Sequence, residues 1–172
     1  MGIQRALANV RENVQNIPAF RQLVEEASEQ GAAAEEAEQA AQAQRAMWVG
    51  ALTETAYIIA AADGALSDAE SGEIVEGLVS LTDGAIPAEE VVEMLDRVKG
   101  AVEEEGQKAR FAEIGNIISD EELRDALYLV ACAVAWKDGG IGEKQGLAVR
   151  ALKDAFGYSE GKHQTLLAKA RG

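Results

Sequence analysis

A short pattern occurs twice in this chain at a fixed offset of 75 residues, and it restricts the fold more than any other feature. Ala51-Leu52, Ala56, Ala60 and Asp63-Gly64 recur as Ala126-Leu127, Ala131, Ala135 and Asp138-Gly139, and Leu66 is answered by Ile141. Each copy runs from an apolar segment through Asp-Gly into a second amphipathic segment, which reads as helix, tight turn, helix. Alanine and leucine are common along the whole chain. The discriminating part is therefore the Asp-Gly registration, with an aliphatic residue two positions beyond each glycine.

Composition points the same way. Pro18 and Pro87 are the only prolines, Ala, Glu, Gln, Leu and Arg abound, and β-branched residues never form a long alternating run. These residues lose little freedom in a helix, and no strand pattern competes. The expected fold is all-α, a single bundle of about seven or eight helices with two related helix-turn-helix halves.

Ile3, Leu7, Val10, Val14 and Ile17 follow a 4-3-4-3 spacing and line one stripe of a helix that Pro18 interrupts. That stripe suits three placements: on the protein's own core, against another chain as a homo-oligomer contact, or on a membrane surface, where only Arg5 and Arg11 would meet anionic lipid. From Phe20 to Ala46 the chain is rich in Glu, Gln and Ala, with Gly31 as its one break, and an alanine face buries little area. Residues 1–46 are thus expected to form an amphipathic, Ala/Glu-rich helical arm, and residues 47–172 the helical domain proper.

Within that domain the punctuation is clear. A helix from about Met47 to Ala62 ends at Asp63-Gly64, and Ser67-Asp68-Ala69-Glu70 fits a capping box that opens a helix to about Leu81. Asp83-Gly84 closes that helix, and Pro87 with Glu89 and Glu90 starts the next. Gln107 to Ile118 is a weaker helix with Phe111, Ile114 and Ile118 inward. Ser119-Asp120-Glu121-Glu122 reads as a further capping box, launching Leu123 to Trp136, which is apolar nearly all round and should be central. Asp138-Gly139-Gly140 ends it, Gly142-Glu143 opens a helix to Phe156, and Tyr158 to Ala170 forms the last.

Sixteen Lys and Arg against 30 Asp and Glu leave a net charge of -14, which disfavours nucleic acid as a partner. A metal cation, or a basic patch on a protein or juxtamembrane loop, suits this charge better. The apolar stretches Met47 to Leu52 and Tyr57 to Ala62 fall short of the roughly 20 residues a spanning helix needs, and the first segment lacks the apolar run of a secretory signal. The lone Cys132 allows no intramolecular disulfide, which fits a reducing cytoplasm, and its apolar neighbours read as core.

An Asp-Gly before a branched aliphatic invites comparison with an EF-hand loop, but the other ligand positions fail. With Gly64 at the sixth position, the first, third and twelfth fall on Ile59, Ala61 and Ser71; with Gly139 there, on Val134, Trp136 and Gln145. Neither loop has the carboxylates and bidentate Glu that calcium requires. Catalytic patterns are missing as well: no nucleophile elbow, no phosphate-cradling loop, no Cys and His cluster. His163, beside Lys162, is read as lying on a solvated face, and Trp48 and Trp136 as core or groove lining. A non-catalytic protein is expected.

The first turn, Ala62-Asp63-Gly64-Ala65-Leu66-Ser67-Asp68-Ala69-Glu70, resembles the A-D-G-x-L-S-x-x-E turn of the tellurite-resistance TerB-like domain family. The second, Lys137-Asp138-Gly139-Gly140-Ile141-Gly142-Glu143-Lys144-Gln145, follows it with Gly142 in place of the capping Ser and Gln145 in place of the final Glu. The resemblance covers about Met47 to Ala170. It implies an all-helical bundle in which the two acidic turns approach each other and hold a divalent cation, with Asp63, Glu70 and Asp138 as the ligands. Gln145 offers only a neutral oxygen, and Asp68, Glu73 and Glu143 are nearby acids that could substitute. It also implies a bacterial stress response, in the cytoplasm beside a membrane-associated protein complex. The alternative is a protein-interaction module that uses the acidic face or the N-terminal helix without metal.

Overall fold

The computed structural model describes residues 2–30 and 39–172, which form nine α-helices and no strand. Two of them precede the duplicated region: α1 (Gly2–Gln15) and α2 (Pro18–Gln30). The break between them falls where Pro18 cannot donate a backbone hydrogen bond and instead serves as the first residue of the new helix. The first copy of the repeat is α3 (Gln39–Ala60) and α4 (Asp68–Leu81), followed by α5 (Ala88–Glu105) and α6 (Gln107–Ile117). The second is α7 (Glu121–Ala135) and α8 (Glu143–Phe156), and α9 (Glu160–Arg171) completes the chain.

The sequence repeat is a structural one. α3 ends at Ala60 and α7 at Ala135, while α4 and α8 begin at Asp68 and Glu143 and end at Leu81 and Phe156, each pair 75 residues apart. Local chemistry sets these limits. The Ser67 hydroxyl accepts the Glu70 N–H at 3.1 Å, and the Glu70 carboxylate accepts the Ser67 N–H at 3.3 Å, the reciprocal pair of a capping box. In the second copy Gly142 has no side chain to offer, and only the return bond survives, from Gly142 N–H to Gln145 Oε1 at 3.4 Å. The cap expected at Ser119 lies one residue later: α7 starts at Glu121, and the Asp120 carboxylate accepts the Leu123 N–H at 3.0 Å.

As expected from its composition, α7 is central, packed against α1, α2, α3, α8 and α9. Ten of its residues, from Ala126 to Ala135, are buried. Cys132 sits among them, and burial pushes its thiol up to about 12, so it behaves as a small apolar residue.

The N-terminal stripe takes the first of its three expected placements, on the protein's own core. Ile3, Leu7, Val10 and Val14 are buried and α1 packs on α4 and α7, so the protein's own core covers the face that a second chain or a membrane would otherwise contact. A methyl group on Gly77 of α4 would lie 2.5 Å from Leu7 Cδ1, so the missing Cβ is the slot that admits Leu7. In α2, Phe20, Leu23 and Ala27 are buried, and Phe20 meets the Trp48 ring edge-on with centroids 6.0 Å apart. The loose packing expected from Phe20 onward gives way because these three larger or well-placed residues gather on one side of the helix. α3 runs without interruption through the boundary expected near Met47. Gly31, the break expected in the arm, lies outside the described residues.

Candidate functional site

The two repeated turns meet across the molecule. Lys137, the first residue of the second motif, reaches Glu70 of the first with Nζ 3.5 Å from Oε2. Its side chain is only 12 % exposed, whereas that of Glu70 is 37 % exposed. Hydrogen bonds from the Ser67 backbone hold the Glu70 carboxyl below the usual carboxylate range, with the Lys137 ammonium adding to them. Gly2, at the start of α1, closes the junction: a methyl there would lie 3.4 Å from Asp138 Oδ1 and 3.5 Å from Lys137 Cβ. The second turn therefore presents Asp138 to the positive end of α1.

The third Asp-Gly turn, Asp83-Gly84, is tied to the same helix. Asp83 adopts a left-handed φ of 52°, which short polar side chains tolerate, and Gly84 follows at 77°. Arg11 of α1 pairs with the Asp83 carboxylate and donates to Ser80 O at 3.1 Å, while Gln15 donates to Leu81 O at 2.9 Å and Asp83 Oδ2 at 3.0 Å. Two side chains of α1 thus satisfy the carbonyls left open at the end of α4. Asp83 is held below its ordinary range, chiefly by its Arg11 hydrogen bond.

The remaining acids named by the resemblance do not converge. Asp63 and Asp138 are exposed on their turns, Asp68 and Glu143 are exposed at the first residues of α4 and α8, and Glu73 lies half-buried farther along α4. Gln145 is buried and turned back on its own helix start. Among the described residues no three of His, Cys, Asp or Glu gather as a metal-holding group. A hard divalent ion needs about six oxygens, and Glu70 is already committed to Ser67 and Lys137. The residues as placed do not fit the cation.

Two adjoining depressions lie elsewhere on the surface. Between α3, α5 and α6 lies an open depression of about 240 Å³, floored by Gly50, Val98, Ala101 and Ile114 and flanked by Met47 and Met94. Met47 is 46 % exposed and Ile117 38 %, high for residues of this size. The same two side chains border a second depression of about 160 Å³, lined by Leu23, Trp48, Ile118 and Leu123. Together they make one apolar tract, and two thioethers can adapt their shape to whatever lies against them.

One charged contact anchors this tract. Arg110 donates to Glu54 Oε1 at 2.9 Å and to Oε2 at 3.1 Å, a bidentate pair, and its remaining nitrogen reaches Glu105 at 2.9 Å. Burial pushes the Glu54 carboxyl upward, and the Arg110 guanidinium opposes that shift. The helix α5 carries seven acidic residues against two basic ones, but of its residues that line the depression only Arg97 is charged, so the acids lie outside the groove itself. Sequence reasoning missed this site. Its signals were the Ile117-Ile118 doublet, which widens the apolar face of α6 beyond one stripe, and Met47 set between Ala46 and Trp48.

His163 corrects another expectation. It is buried rather than solvated, with Nδ1 2.5 Å from the Tyr128 hydroxyl and the two rings edge to face. Nearby, the Tyr158 hydroxyl donates to Asp125 at 2.5 Å. Trp136 is capped by the Arg171 guanidinium, 4.2 Å above its ring.

No protein-family model matches this chain, and neither a curated protein nor a solved structure matches it. No helix among the described residues is long and apolar enough to cross a membrane.

Proposed function

We propose that this chain is a non-catalytic helical protein of the TerB-like kind that works by holding a cationic amphipathic helix of a partner protein in the groove between α3, α5 and α6. The observation that carries the reading is the apolar tract itself. Met47 and Ile117 stand exposed beside two adjoining depressions, next to a helix with seven acids and two bases. An amphipathic helix would lay its apolar side along the methionines and isoleucine, and its basic flank would have to reach past Arg97 to the acids on the outer side of α5. The net charge of -14 makes a basic partner the electrostatically favoured one. The resemblance implies a setting for that partner, a membrane-associated complex acting in a tellurite-type stress response in the cytoplasm.

Metal binding at the turns is the weaker reading, since Glu70 is engaged by Ser67 and Lys137. The test uses a fluorescently labelled peptide that forms a helix with leucines at i, i+4 and i+7 and lysines on the flanks, followed by anisotropy. Saturable binding is expected, weakened by added salt and by Ile117→Asp about tenfold or more, because a charge in the apolar tract must be desolvated. Absence of saturable binding, or equal binding by Ile117→Asp, would overturn the groove assignment.

A further inference from the structure

The mismatch between the acidic turns and a cation has a specific structural counterpart. At the repeat offset, Lys137 stands where the first copy has Ala62, and Gln145 stands where it has Glu70. The second motif has thus gained two positive charges, Lys137 and, in place of Ala69, Lys144, and lost a negative one. Lys144 is exposed, but the Lys137 charge is not spent on solvent: its side chain is 12 % exposed, lies against Gly2 of α1 and points at Glu70 of the other turn.

We infer that the Lys137 ammonium is the resident cation of the paired turns, taking the bridging role between the two halves for which the resemblance implies a divalent ion. Three contacts meet at this point. Glu70 is fixed by the Ser67 hydroxyl and backbone, so its second oxygen is aimed outward from α4. Lys137 leaves the end of α7 toward that oxygen, and α1 packs over its stem. Gln145, neutral, closes its own helix start and adds no charge for an ion to neutralise. A tethered ammonium needs no free ion and no particular concentration of one, whereas a bound ion would stabilise only by mass action. The junction between the halves is therefore independent of divalent metal. This conclusion stands apart from the groove, which shares none of these residues.

The experiment is a double-mutant cycle on the full chain, with thermal midpoints measured after EDTA treatment and again in Mg²⁺, Ca²⁺, Mn²⁺ and Zn²⁺. Lys137→Met retains the aliphatic stem against Gly2 and removes only the charge; Glu70→Gln retains the cap geometry and removes the other. Each single variant is expected to lower the midpoint by a few degrees, the double variant by clearly less than the sum, and the native protein to show no saturable rise with any ion. Additive effects would mean that the bridge couples nothing and would overturn the inference. So would a saturable rise of the native protein with one ion that Asp63→Asn or Asp138→Asn abolishes. Should Lys137→Met fail to fold, the ion titration of the native protein and of Asp63→Asn decides the question alone.

Discussion

His163 is the only histidine of the chain, and its ring faces the Tyr128 hydroxyl rather than water. Burial lowers its pKa below the usual 6.5; Arg150 and Lys153 push the same way, and Glu160 opposes them. The native ring is thus neutral, while the unfolded chain takes up a proton as pH falls past about 6.5. Between that value and the lower native one the unfolded state holds more protons, so stability decreases as pH falls through this window. The predicted thermal midpoint declines from about pH 7 downward. It should decline again below about 4.5, where the unfolded chain takes up protons that Glu70 and Asp83, both held low by hydrogen bonds, do not yet accept in the native state. His163→Asn keeps an acceptor near Tyr128 but cannot titrate, so it should flatten the upper phase and leave the lower one. Parallel pH profiles for the two proteins would show that His163 contributes nothing. The burial was legible: His163, Leu166, Leu167 and Ala170 follow the i, i+3, i+4, i+7 spacing of a buried stripe. The adjacent Lys162 drew the reading outward, although one helical residue is turned roughly 100° from the next.

Among elements, α1 links most of the features that looked separate in sequence. Its apolar stripe enters the core, Arg11 and Gln15 finish α4, and Gly2 lies at the second turn. Burying Leu7 and its neighbours contributes about 1.5–3 kcal/mol for each large side chain, an upper estimate because the unfolded chain is itself partly collapsed. The slot at Gly77 offers the sharpest test. Gly77→Ala would place its methyl 2.5 Å from Leu7 Cδ1 and should cost about 1–3 kcal/mol. Gly72→Ala, in the same helix with open space around it, should instead stabilise by roughly 0.5–1 kcal/mol. Urea midpoints of the two variants check this, and equal shifts of one sign would deny the close α1 to α4 contact. Helix ends chosen by local chemistry, such as Ser67 with Glu70, could be read directly because both partners lie within one turn. The placement of α1 could not, since its 4-3-4-3 stripe states that a face is covered and not by what. The boundary expected near Met47 falls inside α3. Alanine-rich sequence before it looked detachable, yet helix propensity carries α3 straight through.

At the scale of the whole molecule, the acidic turns lie at helix junctions, apart from the groove between α3, α5 and α6. Each of the three Asp-Gly turns lies at a helix junction, with Lys137, the start of α1 or Arg11 supplying the nearby positive charge. The all-helical fold was legible from composition and punctuation, and the repeat was legible from its offset. The groove was not, because Met47, Met94 and Ile117 come from three helices whose adjacency only tertiary packing creates. The measurement that separates turn from groove most directly is the backbone amide NMR spectrum of the EDTA-treated protein. It is recorded alone, then with the cationic amphipathic peptide, and then with Mg²⁺ or Ca²⁺ in place of the peptide. The expected peptide-induced shifts cluster at Gly50, Met94, Ile114 and Ile117, while Gly64, Gly84 and Gly139 stay unmoved by peptide and by either ion. Saturable ion-induced shifts at Gly64 and Gly139, with the groove amides silent toward the peptide, would contradict both the assigned surface and the metal-free junction.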